Sequence, residues 1–117
     1  MTAQATVQEH VPAALIWLDR SHALVARARD GGTFVTSVER ELDDEHQFFL
    51  RVAHEADACD RLMVTGPDAA RLGFEREYVA LYRRPDRIID GGLEMEPGGR
   101  DLADRLRFLR FLGTLPA

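Results

Sequence analysis

The sequence predicts an α/β domain: a mixed sheet containing a three-stranded antiparallel meander, with helices on its faces. Three observations predict it. Short apolar runs of strand character stand at 13–18, 62–64 and 88–89, each closed by polar or glycine residues. Apolar residues recur at helical spacing through 48–56 and 102–109. Taken in chain order, the segments read strand, strand, strand, helix, strand, helix, strand, helix.

Each element has its own physical basis. Ala13-Ala14-Leu15-Ile16-Trp17-Leu18 is uninterruptedly apolar and ends at Asp19, as expected of a strand covered on both faces. After the turn Asp19-Arg20-Ser21-His22, the alternation of Leu24, Ala26 and Ala28 with Val25, Arg27 and Arg29 suits a half-covered strand. Asp30-Gly31-Gly32 is a hairpin signal, and Thr33 to Glu39 follows, with Phe34, Thr36 and Val38 on one face. Asp44 caps the next helix with Gln47 three residues on, and Phe48, Phe49, Val52, Ala53 and Ala56 share one arc. Leu62-Met63-Val64 is a buried strand ending at Thr65-Gly66. Pro67 and Asp68 then open a helix that runs to about Tyr82, with Ala69, Gly73 and Ala80 predicted toward the sheet. Pro85 ends that helix, and Asp86 to Asp90 is the fifth strand. From about Arg100 a last helix turns Leu102, Ala103, Leu106 and Leu109 inward, with Asp101 and Arg105 as an i,i+4 pair.

This βββαβαβα order is that of the ribonuclease H-like fold. Residues 12–113 are read as a single α/β domain, 1–11 as a flexible N-terminal tail and 114–117 as a C-terminal tail. A chain of 117 residues suffices for one domain with an ordinary core. No run approaches the length of a membrane helix, and residues 1–10 carry no basic residue of the kind a signal peptide needs, so a cytoplasmic protein without membrane association is expected. Cys59 is the sole cysteine, which excludes an internal disulfide and reads as a small buried hydrophobe.

All 15 basic residues are arginine, against 20 acidic residues, for a formal charge of −5. Residues 1–70 hold six arginines and 12 carboxylates; residues 71–117 hold nine and eight. The global charge disfavours unspecific adhesion to nucleic acid, while a local arginine face in the second half stays open. The absence of lysine removes a P-loop and Schiff-base chemistry. No Gly-x-Ser-x-Gly elbow is present, and His46 and His54 are eight apart, not the i,i+4 pair of a zinc helix.

The predicted order invites comparison with two-metal nucleases, which gather carboxylates to stabilise both oxygens of an in-line displacement. Asp19, Glu45 and Asp101 or Asp104 are the candidate metal ligands. The fourth strand, however, ends Val64-Thr65-Gly66 with no carboxylate. Each candidate also has a structural reading: Asp19 in a turn, Asp101 beside Arg105.

Ala14-Leu15-Ile16-Trp17-Leu18-Asp19 with His22-Ala23-Leu24-Val25, then Asp43-Asp44-Glu45-His46-Gln47-Phe48-Phe49, then Leu62-Met63-Val64-Thr65-Gly66-Pro67-Asp68-Ala69-Ala70-Arg71-Leu72-Gly73-Phe74, resemble a family of small bacterial proteins labelled translational-machinery components. That family is similar in fold to the middle domain of eukaryotic and archaeal peptide-chain release factors and of Pelota. The resemblance spans about Ala13 to Leu112. It implies a fold and an association with translation, and it carries over no catalytic residue. The release factors depend on a Gly-Gly-Gln loop before the first long helix. Here the glycine pairs are followed by Thr33, Leu93 and Arg100, and the corresponding connection, Glu39 to Asp43, is short and acidic. Peptidyl-tRNA hydrolysis by that mechanism is therefore not expected, and no cofactor is implied.

Three functions follow as expectations. The first is a non-catalytic binding module associated with the ribosome or RNA through Arg71, Arg76, Arg83, Arg84, Arg87, Arg100, Arg105, Arg107 and Arg110. Guanidinium forks bind phosphate and stack on bases, although the carboxylates interspersed with them offer local ion pairs instead. The second is a protein-interaction or homodimerisation module, because Phe108 and Phe111 cannot both join the Leu102, Leu106, Leu109 stripe. The third is the metal-dependent nuclease.

Overall fold

The computed structural model describes residues 13–29, 32–41, 44–92 and 94–112. The predicted tails 1–11 and 114–117 and the hairpin tip Asp30-Gly31 lie outside the described residues. The elements are β1 (Ala13–Leu18), β2 (His22–Arg29), β3 (Gly32–Glu39), α1 (Glu45–Glu55), β4 (Arg61–Thr65), α2 (Asp68–Tyr82), a short 3₁₀ turn (Pro85–Arg87), β5 (Ile88–Gly92) and α3 (Gly99–Leu112). This is the predicted order: an α/β fold with one five-stranded mixed sheet.

The strands lie side by side as β3-β2-β1-β4-β5. The meander is antiparallel, with Ile16 opposite Val25 and Val25 opposite Thr36. β4 runs parallel to β1, with Ile16 opposite Val64, and β5 runs parallel to β4, with Met63 opposite Ile89. β1 is central, and all six of its residues are buried. Its side chains alternate between two cores, which is why its sequence is a continuous apolar run and not an alternating one. Ala14, Ile16 and Leu18 join the core under α1 and α2, with Phe48, Val52, Phe74 and Tyr78. Ala13, Leu15 and Trp17 join the core under α3, with Leu102 and Leu106.

Local chemistry fixes the helix boundaries. Asp44 accepts a hydrogen bond from the Gln47 backbone N–H at 2.8 Å, so α1 begins where the cap was predicted. The α1 arc of Phe48, Phe49, Val52, Ala53 and Ala56 is buried, as its periodicity requires. α2 ends at Arg83, which takes the left-handed conformation with φ 57° and donates its backbone N–H to the Val79 carbonyl.

Three local expectations are corrected. The sheet-facing arc of α2 is Ala70, Phe74 and Tyr78, while Ala69 and Ala80 are exposed. Gly73 does permit a close approach, but to α1 and not to the sheet: a Cβ there would sit 2.9 Å from Cε2 of Phe49. The fifth strand begins two residues late, because Pro85 starts a 3₁₀ turn and extended backbone resumes only at β-branched Ile88. Arg105 pairs with Glu94, from the loop before α3, and not with Asp101.

Candidate functional site

β1, β4 and β5 are parallel, so their carboxyl ends share one edge of the sheet, where open α/β sheets place ligand crevices. At that edge Gly66 has φ +125°, and a Cβ on it would lie 2.1 Å from the Leu18 carbonyl oxygen. Only glycine fits this crossing from β4 into α2. Gly66 N–H donates to the Gly92 carbonyl at 3.1 Å, which ties the ends of β4 and β5 together.

The first turn of α2 then directs Arg71 back over this point. Arg71 is only 7% exposed. Its Nε donates to the Gly66 carbonyl at 3.3 Å, and its two terminal nitrogens pair with Asp68 and Asp90. Burial works against its charge, yet Asp68 and Asp90 outweigh burial and hold the guanidinium pKa above its ordinary value. Asp90 also accepts from the Gly92 N–H at 2.8 Å. Glu75 stands one helical turn beyond Arg71. Burial, and then the charge of Asp90 beside it, push its carboxyl up to about 7 against the opposing pull of Arg71. Its Oε2 is buried with no hydrogen-bond partner.

This cluster borders an open groove of 790 Å³ between α2 and the start of β5. The helix contributes Leu72, Glu75, Arg76, Val79 and Ala80; Pro85, Ile88 and Asp90 form the other wall. A smaller groove of 460 Å³ lies between β3 and α1, lined by Glu39, Arg51 and His54 among others.

A second cluster surrounds the β1–β2 turn. Asp19 accepts from the backbone N–H groups of Ser21 at 2.8 Å and His22 at 2.9 Å. Partial burial would raise its pKa, but these bonds and the Ser21 hydroxyl hold it below the usual carboxylate value. His22 Nε2 lies 2.7 Å from Glu96, which raises the imidazole pKa against the effect of burial, with help from Asp19. Trp17 Nε1 donates to the Glu94 carbonyl at 2.9 Å. These contacts fasten the segment before α3 across the end of the sheet.

The arginines are divided between two layers. Arg71, Arg76 and Arg83 belong to α2 and its cap; Arg84 and Arg87 follow it. Arg100, Arg105, Arg107 and Arg110 belong to α3, on the opposite face of the sheet. Arg84 pairs with Asp86, Arg105 with Glu94 and Arg107 with Asp104. Arg87 reaches Asp60 at 3.7 Å and Tyr78 Oη at 3.3 Å, and Arg110 is also engaged. Arg76, Arg83 and Arg100 are exposed and have no side-chain ion pair among the described residues.

Of the proposed metal ligands, Asp19 serves its turn, Glu45 pairs with Arg20 at 2.7 Å and Asp104 with Arg107, while Asp101 is exposed on α3. Among the described residues no three His, Cys, Asp or Glu side chains are grouped so as to share a metal ion. Cys59 is buried, and burial pushes its thiol pKa up to about 11. No helix of the described residues is long and apolar enough to cross a membrane.

The Arg71 fork and the groove are what sequence reading missed. A signal was present: Arg71 stands three residues before Phe74 and seven before Tyr78, on the buried arc of α2 and not on its surface.

Neither a protein-family model nor a curated protein sequence matches the chain. Solved structures do. Pelota of Archaeoglobus fulgidus superposes with a TM-score of 0.67 at 17% identity, over 95% of this chain and 36% of that one. The Pelota protein of Thermoplasma acidophilum gives 0.58 at 18% identity, over 81% and 32%. The archaeal translation termination factor aRF1 gives 0.55 at 13%, over 88% and 42%. The chain thus spans well under half the length of these neighbours and shares the fold of one part of each. The resemblance to release factors and Pelota is borne out as a likeness of fold.

Proposed function

We propose that this chain is a non-catalytic binding module associated with the ribosome or its RNA. The observation that carries the reading is the fold it shares with Pelota and with a translation termination factor, over 81–95% of its length. Fold likeness supports an association and not a reaction. The sequence holds no Gly-Gly-Gln, which supports a role other than peptidyl-tRNA hydrolysis. Among the described residues Arg76, Arg83 and Arg100 are exposed cations without an ion pair, which suits them to phosphate contact. Arg76 and Arg83 share one layer and Arg100 lies on the other, so one phosphate surface meets at most two of them, and a shallow salt dependence with a slope of about −1.4 to −1.8 is expected. The test is sedimentation with purified ribosomes through sucrose at low and high salt. Comigration at low salt and partial release at high salt are expected; a chain that stays at the top of the gradient under both conditions refutes the proposal.

A second reading, a protein-interaction or homodimerisation module, is favoured by Phe108, which is 58% exposed on α3. Light scattering across a concentration series tests self-association, and a constant monomer mass removes it. The metal-dependent nuclease has the least support, since Asp19, Glu45 and Asp104 are engaged in separate local contacts and no three acidic or metal-ligating side chains are grouped among the described residues. Manganese calorimetry with no heat, and no cleavage of RNA, removes that reading.

A further inference from the structure

Among the described residues β5 ends the sheet, and one side of its backbone has no strand beside it. Such edges recruit extended chains unless charge, proline or a covering element blunts them. In β5 (Ile-Ile-Asp-Gly-Gly) the one charged side chain is Asp90, and it is held by Arg71. The groove beside α2 lies on the same face as Ile88 and Asp90.

We propose that the free edge of β5 and the adjoining groove bind an extended peptide segment of a partner protein by strand addition, with apolar side chains at alternate positions and a carboxylate opposite Arg76. The geometry supports each part. A strand added about 4.8 Å beyond β5 sends every second side chain toward α2. There Leu72, Val79, Ala80 and Ile88 present apolar surface. Backbone hydrogen bonds to β5 supply affinity and the side-chain pockets supply selectivity, as in other strand-addition complexes. Arg76 stands on the same wall with no ion pair among the described residues, so an incoming carboxylate gives it a partner. Nucleic acid fits this groove poorly, because its walls are mostly apolar; of its two acidic members Asp90 is paired with Arg71 and burial favours the neutral form of Glu75, so among the described residues Arg76 is the uncompensated charge there. A second copy of the chain also fits poorly: Asp90 is the only carboxylate that β5 carries, and Arg71 already holds it. The inference does not rest on ribosome association.

The test is selection of phage-displayed random peptides of about ten residues against the immobilised full chain. Enriched peptides should alternate apolar and polar residues and carry one Asp or Glu. A synthetic copy of the leading sequence should slow hydrogen exchange at the β5 amides that face away from β4. Arg76→Glu, an exposed substitution that spares the core, should weaken that peptide about tenfold, and a Glu-to-Lys change in the peptide should recover the loss. Three results each overturn the proposal: no enrichment; enriched peptides that bind Arg76→Glu unchanged; or a free chain that is a dimer with its β5 amides already protected. Ribosome sedimentation is read separately, so the two proposals fail independently.

Discussion

Replacing Arg71 with methionine separates a structural role from an RNA-binding one. Methionine retains an unbranched apolar stem but removes the fork that joins the Gly66 carbonyl, Asp68 and Asp90. Removing one member of a fully buried ion pair costs about 3–5 kcal/mol. Here that is an upper bound, because the partner carboxylates are 75% and 45% exposed and water recovers much of their solvation. Loss of one buried hydrogen bond to a carbonyl, plus two partly solvated charged bonds, comes to about 2 kcal/mol. For a domain of this size that lowers the melting midpoint by roughly 8–10 °C. The assay is thermal and urea unfolding at pH 7, followed by circular dichroism, beside RNA binding by the folded variant. A stability loss under about 0.5 kcal/mol refutes the reasoning, most clearly if RNA affinity falls at the same time.

Glu75→Gln tests the raised carboxyl. The folded chain favours the neutral form, so the contribution of Glu75 to stability is fully present below its unperturbed value of 4.5 and is lost as pH rises through about 7. The variant should therefore gain on the wild type between pH 5 and pH 8, by about 1 kcal/mol after solvent screening; a difference that is flat with pH contradicts this. Gly73→Ala should destabilise by about 1 kcal/mol, since crowding Phe49 outweighs the improved helix propensity, and a higher urea midpoint argues against the tight α1–α2 contact. Cys59 should resist a thiol reagent at pH 8 until urea is added; rapid labelling of the folded chain contradicts its burial.

Periodicity made most of the fold legible, because it reports which sides of an element are covered. The six apolar residues of β1 imply cover on both faces, and α3 on one face with α1 and α2 on the other provides it. Asp44 and Gln47 are local enough for the cap to be read directly. What stayed hidden depends on chain-distant partners. Arg71 is ion-paired to Asp90, 19 positions away, only because the β4–α2–β5 crossover returns the chain beside its start. Small residues on α2 misled for a related reason: Gly73 serves contact with another helix, and no pattern within α2 identifies its neighbour. The groove was not legible at all, since it exists only where α2 overhangs the sheet edge.

The all-arginine basic set acquires a physical meaning from these contacts. A planar fork can hold a carboxylate and a main-chain carbonyl together, which suits it to anchoring chain ends. Arg71 binds the Gly66 carbonyl, Arg27 that of Glu55 at 3.0 Å, Arg40 that of Arg20 at 3.2 Å and Arg51 that of Glu39 at 2.7 Å. These carbonyls belong to turns, strand ends and a helix end, where backbone acceptors lack a ladder partner. Much of the positive charge is thus engaged inside the fold before any ligand arrives. The less engaged cations, Arg76 and Arg83 with α2 and Arg100 on α3, lie on opposite sides of the sheet. A flat phosphate surface would therefore meet the cations of one layer at a time.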